Sequence, residues 1–215
     1  MESAQELTRL LGASASPETV DRMGDYLALL RKWNARINLT GSTEWDVIGA
    51  MLREAVWAST LYPETAAFHL DAGSGAGFPA LPIKILVPRV RLDLVESRER
   101  KCQFLETAVH TLGLNHVRVH NARLSEFLST CGAESKWDCV SWKALKLGAE
   151  DLRQLHAHAR PHTQVWMFHG RKPALKDGVR MEPLFEMAHS GKVPGRNDWN
   201  LSIYRTSVSR ETTPL

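Results

Sequence analysis

Cysteine is scarce: Cys102, Cys131 and Cys139 are the only three in 215 residues, and no two of them stand in a CxxC or similar ligand spacing. That pattern excludes a disulfide framework and a cysteine-built zinc site, and leaves the thiols as small core residues. Long apolar runs are missing as well. Hydrophobic stretches are broken by Arg, Lys, His or Asp well before the roughly 18 residues a spanning helix needs. The Met1-Glu2-Ser3-Ala4-Gln5-Glu6 start has no basic segment followed by an apolar one, so a cytoplasmic protein is expected. Fourteen glycines and ten prolines fall far below low-complexity levels, while 43% hydrophobic and 24% charged residues exclude disorder. The charge surplus is small, +3, and uneven: residues 1–70 carry 6 basic and 9 acidic side chains, the remainder 21 and 15. A basic later part is compatible with a polyanionic partner.

Two rhythms are present. Val20, Met23, Leu27, Leu30 and Ile37 recur at helical spacing behind Ser16-Pro17-Glu18, a capping residue with Pro at the first helical position. Thr43 is the candidate cap of a second helix whose apolar positions run from Val47 toward Leu61. Residues 1–65 therefore read as a helical region too small to bury a core alone. From residue 66 short β-like runs alternate with helical ones, the signature of an α/β unit with a parallel sheet. Strands are expected at 68–72, 90–96, 116–120, 138–142 and 164–169, with helices at 79–86, 98–112, 124–128 and 149–159, the last closed by Pro161. The tail, 179–187 and 201–208, reads as an antiparallel pair at the sheet edge.

The chemistry sits in Leu70-Asp71-Ala72-Gly73-Ser74-Gly75-Ala76-Gly77-Phe78-Pro79, where a strand should pass into a helix. Residues without Cβ let a backbone turn sharply and approach a ligand closely, and the helix start offers free N–H groups. A dinucleotide loop requires G-x-G-x-x-G; here the spacing is G-x-G-x-G, which disfavours a dehydrogenase. With Asp71 before the turn to hold an ammonium group and Glu96 ending the next strand to accept a ribose diol, the pattern suits S-adenosylmethionine.

These residues resemble the bacterial 16S ribosomal RNA guanine-N7 methyltransferases, formerly called glucose-inhibited division protein B. The resemblance rests on Trp33-Asn34-Ala35-Arg36-Ile37-Asn38-Leu39-Thr40-Gly41, on Asp71 through Pro79 with Pro82, on Leu94-Val95-Glu96-Ser97 followed by Arg100-Lys101 and Phe104-Leu105, and on Arg123-Leu124-Ser125-Glu126. It implies a Rossmann-like class I methyltransferase sheet with a helical N-terminal extension, acting on ribosomal RNA of the small subunit; a monomer is expected. By the same resemblance Asp71, Gly73, Gly75, Gly77, Phe78, Glu96, Ser97, Leu124 and Ser125 form the cofactor site, the last two flanking the adenine.

Three departures fall on the side where RNA would approach. The family's Ser-Arg-Ala reads Ser141-Trp142-Lys143-Ala144, its Lys-Gly reads His169-Gly170, and its His-x-x-Asp-Ser reads Glu54-Ala55-Val56-Trp57-Ala58. Arg100, Lys101, Trp142, Lys143 and His169 are therefore the candidate substrate residues, with Trp142 expected to stack on an extruded base. Arg98 and Lys146 add positive charge at the same mouth. Two other readings stay open: a methyltransferase with a non-RNA acceptor, and a non-catalytic module that binds cofactor or RNA. Trp33, Trp45, Trp57, Trp137 and Trp166 read as core. His156 and His158 stand two apart on a helix and diverge, so no metal site is expected, and no Gly-x-Ser-x-Gly elbow supports hydrolysis.

Overall fold

A computed structural model describes residues 4–12, 15–196 and 198–206. Three helices come first: α1 (Ala4–Leu11), α2 (Pro17–Asn34) and α3 (Trp45–Thr60). Alternation follows: β1 (Phe68–Ala72), α4 (Ala80–Leu86), β2 (Arg91–Glu96), α5 (Glu99–Thr111), β3 (Val117–Asn121), α6 (Leu124–Thr130), β4 (Trp137–Lys143), α7 (Ala149–Ala157) and β5 (Ala159–His169). It closes with β6 (Phe185–Lys192) and β7 (Asn200–Thr206). The seven strands form one sheet in the order β3-β2-β1-β4-β5-β7-β6. The first five are parallel, and β7 runs antiparallel between β5 and β6. Strand order reverses between β1 and β4, and a crevice outside the carboxyl ends of the strands at such a reversal is where ligands bind in open α/β sheets. Asp71 and Ser141 are register partners across this point.

Local chemistry accounts for the helix starts. Ser16 caps α2 by accepting the Thr19 N–H at 3.2 Å, with Pro17 at the first position, where a missing N–H costs nothing. At α6 the Glu126 carboxylate reaches back to the Arg123 N–H (3.1 Å). The apolar stripe of α2 buries Met23, Tyr26, Leu27 and Leu30 in one cluster with Phe78, Leu81, Phe104 and Leu105, so the N-terminal helices share a core with α4 and α5. Fully burying each such side chain contributes on the order of 2 kcal/mol. On the opposite face of the sheet Leu70, Ala72, Val140, Trp142 and Met167 pack under α6 and α7. A third cluster joins α3 to Tyr62, Cys139, Trp166 and Phe168. Among the tryptophans read as core, Trp137 and Trp166 are buried, whereas Trp33, Trp45 and Trp57 are half-buried and pack against these clusters. Cys102 and Cys139 are buried and Cys131 is half-buried.

Several elements depart from the sequence expectation. Helix α1 precedes the expected helices, and α3 takes Glu44, not Thr43, as its cap residue. Pro161 does not close α7, which ends at Ala157; it lies inside β5. The ladder there shifts register from Trp137↔Ala159 to Cys139↔Gln164, and the resulting irregularity, with His162 at φ 68°, accommodates a residue that has no N–H for the sheet. The first tail strand begins at Phe185, later than 179, because the Phe185 N–H turns back to Met181 O (3.1 Å) before pairing starts. The second begins at Asn200; the last two residues expected in it, 207 and 208, lie outside the described residues. No described helix is long and apolar enough to cross a membrane.

Candidate active site

The chain leaves β1 at Ala72 and turns on three glycines with positive φ: Gly73 (71°), Gly75 (56°) and Gly77 (84°). The Gly73 and Ser74 N–H groups both donate to Val95 O, at 2.8 and 3.1 Å, which ties the turn to the end of β2. The glycines serve different ends. A Cβ on Gly77 would stand 2.6 Å from Leu81 Cδ1, so this residue lets α4 pack against the turn. A Cβ on Gly75 would meet nothing nearer than Gly73 O at 3.8 Å and Lys101 Nζ at 3.9 Å, so its outer side is open to a ligand.

Glu96 is buried at the tip of β2, with Oε2 accepting the Gly75 N–H and Oε1 accepting the Arg98 N–H, both at 2.9 Å. It is therefore no surface carboxylate paired with an arginine side chain; it buttresses the turn, and each of its oxygens retains acceptor capacity beyond these bonds. Ser97 and Arg100 are exposed beyond it, and Lys101 is half-buried. The Ala122 N–H bonds to Glu96 O (3.2 Å), which brings the first turn of α6, with buried Leu124 and exposed Ser125, beside the same strand end.

A residue the sequence reading passed over pins the turn from below. Tyr26, fully buried on α2, donates its hydroxyl to Ala76 O at 2.6 Å, and its ring stands edge-on to Phe78 with centroids 5.3 Å apart. Its signal was available, since Tyr26 lies three residues after Met23 on the apolar stripe.

Asp71 lies beneath the turn, buried, with Oδ1 accepting the Ser141 hydroxyl at 2.5 Å. Ser141 Oγ in turn stands 2.8 Å from His69 Nε2. Because the serine proton points to Asp71, the histidine donates through Nε2 and is neutral; burial holds it down to about 3. Serine is in the middle of this chain, whereas nucleophilic activation needs histidine there, so the set has no hydrolytic geometry. Burial pushes the Asp71 carboxyl up to about 6, against the opposing pull of Ser141, Ser74 and Lys143. A carboxylate poised in this way ionises more readily when a cation arrives beside it.

The expected role of Trp142 is corrected. Alternation along β4 sends Ser141 and Lys143 to the Asp71 side and Trp142 to the opposite side, where it is fully enclosed and donates Nε1–H to Ala174 O (3.2 Å). It has no face to offer a base. Lys143 does face the cleft, but its ammonium is engaged by Glu54, which is wholly enclosed on α3 and also takes Arg196 Nη1 at 2.9 Å. Burial lowers the Lys143 pKa against the pull of Glu54. The aromatic on this side is Trp199, half-buried, with Arg196 and Lys143 at 4.5 and 5.2 Å from its ring centroid. His169 is buried at the tip of β5, its two nitrogens 2.8 Å from Gly170 O and 2.9 Å from Ser202 Oγ. Trp199 and His169 line a cavity of about 380 Å³ together with Ala144, Lys146, Lys172 and Lys176, beyond the carboxyl ends of β4 and β5. Trp199, Lys172 and Lys176 went unassigned in the sequence because each comes from a connecting segment with no periodic pattern.

Residues 19–182 match the model of the family described as rRNA small subunit methyltransferase G. The chain is 30% identical over 177 residues to the ribosomal RNA small subunit methyltransferase G of Roseiflexus sp. (strain RS-1), covering 82% of this chain and 73% of that one. With the protein of the same name from Desulfitobacterium hafniense (strain Y51), identity is 34% over 136 residues, 63% of this chain and 56% of that one. Among solved structures, a mutant of MtNAS in complex with S-adenosylmethionine shares the fold at a TM-score of 0.54 and 13% identity, covering 86% of this chain and 75% of that one.

Proposed function

The chain belongs to the rRNA small subunit methyltransferase G family, and from that premise we propose that it transfers the methyl group of S-adenosylmethionine to a base of small-subunit ribosomal RNA, guanine N7, in the cytoplasm. The observation that carries the cofactor assignment is the turn at the sheet's reversal point, with a poised carboxylate beneath it, Asp71, and a second at its rim, Glu96. The residues fit the group. Gly75 leaves its outer side open, Glu96 has lone pairs to spare for a ribose diol, and the first turn of α6 offers backbone at Leu124 and Ser125. Gly73, Gly77 and Phe78 shape the turn, Ser97 extends its rim, and Asp71 answers the ammonium of the amino-acid end from below. When bound, S-adenosylmethionine supplies an electrophilic methyl group.

The rest of the work is positioning. Guanine N7 presents a lone pair and no proton, so no side chain needs to act as a base, in keeping with a cleft whose histidines and lysine are already engaged. The cavity bounded by Trp199 and His169 is the acceptor's place, with Lys146, Lys172 and Lys176 available to phosphates. Lys143 takes part as the fixed cation of the cleft wall, and Arg100 and Lys101 extend the positive rim past the cofactor turn.

The test is incubation of the full chain with methyl-labelled S-adenosylmethionine and, separately, small ribosomal subunits, naked ribosomal RNA and a metabolite extract. Label recovered as N7-methylguanine in RNA supports the proposal. Label in a metabolite alone, or cofactor binding without transfer, replaces it.

A further inference from the structure

A second concave surface lies away from the acceptor cavity, between the C-terminal end of α2 and the outer face of α5. It encloses about 610 Å³ and is lined by Lys32, Trp33, Arg36, Ile37 and Arg100, with Leu29 at its back and no acidic side chain in its walls. Lys32, Arg36 and Arg100 are exposed, and none has an ion-pair partner among the described residues. Three unpaired cations around a partly apolar floor carry a cost in self-repulsion that an incoming polyanion relieves.

The floor is aromatic and fixed. Trp33 is half-buried, held edge-on against Phe104 with centroids 5.9 Å apart. The wall beyond it is set by Asn34, whose Oδ1 accepts the Leu39 and Thr40 N–H groups, both at 2.9 Å, while the Arg36 and Ile37 N–H groups return to Trp33 O. This groove is therefore formed before any ligand arrives. Helix α5 borders both places: Arg100 lines the groove, and the next residue, Lys101, holds its ammonium at the Gly75 turn.

We infer that the α2–α5 groove is a docking site for a single-stranded segment of the RNA substrate, with phosphates on Lys32, Arg36 and Arg100 and a base against Trp33 and Ile37. Cations that track a backbone beside an aromatic platform are the combination single-stranded nucleic acid requires. A protein partner would leave the three charges unanswered unless it were itself acidic; a phosphodiester chain answers them at regular intervals. The inference rests on the RNA reading of the acceptor site, and it extends the contact from the methylated base to flanking nucleotides.

The experiment measures binding of the full chain to small ribosomal subunits and to a fluorescent single-stranded RNA oligonucleotide across a series of potassium chloride concentrations. The proteins compared are the parent, Lys32→Gln, Arg36→Gln, their double variant, Trp33→Leu, and Lys192→Gln on exposed β6 as a control. Each groove lysine or arginine removed should lower the slope of log affinity against log salt by about 0.7, the single-strand value per phosphate contact. The double variant should raise KM for the subunit with little change in kcat, and S-adenosylmethionine affinity should stay at the parental value in every variant. Trp33→Leu should weaken oligonucleotide binding without changing the salt slope. Parental RNA affinity and slope in the double variant, with methylation intact, would overturn the groove and leave the proposed reaction standing. A parent that neither binds nor methylates RNA overturns both. Loss of binding to an acidic peptide or to anionic phospholipid vesicles, with RNA binding unaltered, reassigns the groove.

Discussion

Glu54 and Lys143 form a buried ion pair that joins α3 to the tip of β4, and both stand where the sequence departs from the pattern it resembles. The two departures are one structural event. Placing a carboxylate on α3 requires a cation facing it, and Lys143 supplies that cation while Arg196 brings the 193–199 connection onto the same carboxylate. Glu54→Ala should leave two half-buried cations without their shared carboxylate and destabilise the protein by about 3 kcal/mol. Adding Lys143→Met should recover part of that loss. Urea unfolding of the single and double variants measures the coupling.

Asp71 sets stability against binding. Its folded pKa of about 6 lies above the ordinary 3.8, so the folded state holds the proton more tightly than the unfolded state, and stability is lost as pH rises between these values. Asp71→Asn should therefore unfold at higher urea than the parent at about pH 8, by on the order of 1–3 kcal/mol, with the advantage vanishing below about pH 4. The same variant should bind S-adenosylmethionine more weakly, which calorimetric titration would read.

His69 has the opposite sign. Its folded pKa, about 3, lies below the ordinary 6.5, so the unfolded chain takes up a proton first and stability falls as pH drops from 6.5 toward 3. His69→Gln, which keeps a donor toward Ser141, should flatten that decline. The difference between variant and parent stability, followed from neutral to acid pH, isolates His69 because the Asp71 contribution is common to both.

Gly75→Ala and Gly77→Ala should separate packing from binding. Both place a Cβ at positive φ, at a cost of about 1–2 kcal/mol. Only Gly77→Ala also drives a Cβ to 2.6 Å from Leu81 Cδ1, adding about 1–3 kcal/mol of overpacking. Thermal unfolding should show Gly77→Ala to be the less stable of the two, while Gly75→Ala keeps its fold and loses cofactor affinity.

Trp142→Ala should behave as a core truncation, losing about 3–5 kcal/mol of stability. Trp142→Phe should retain KM for ribosomal RNA, whereas Trp199→Ala should raise it. The reverse ranking, in steady-state methylation assays, would return the stacking role to Trp142.

The glycine turn, the acids at two strand ends, the parallel strands and the antiparallel tail were all legible in the sequence, because each depends on local chemistry: φ tolerance, periodicity and residue type read over a few positions. Strand and helix ends were less so. Pro161 signals a break in any one-dimensional reading, yet a register shift in its neighbour let it sit inside a strand.

What the sequence by itself determined is the set of conformations its short segments prefer, and with them the order of strands and helices and the identity of the turn. Which side chains meet was decided by the tertiary structure. Trp142 and Lys143 are adjacent in sequence and equally plausible at a strand end, but the two-residue alternation of β4 and the fixed position of α3 sent one into the core and the other to Glu54. Tyr26 and Ala76 are 50 positions apart, and Arg196 and Glu54 are 142 apart. Contacts over such separations arise only when packed layers bring distant segments together, so the floor of the turn and the Glu54–Arg196 tie exist in the fold and not in any window of the chain.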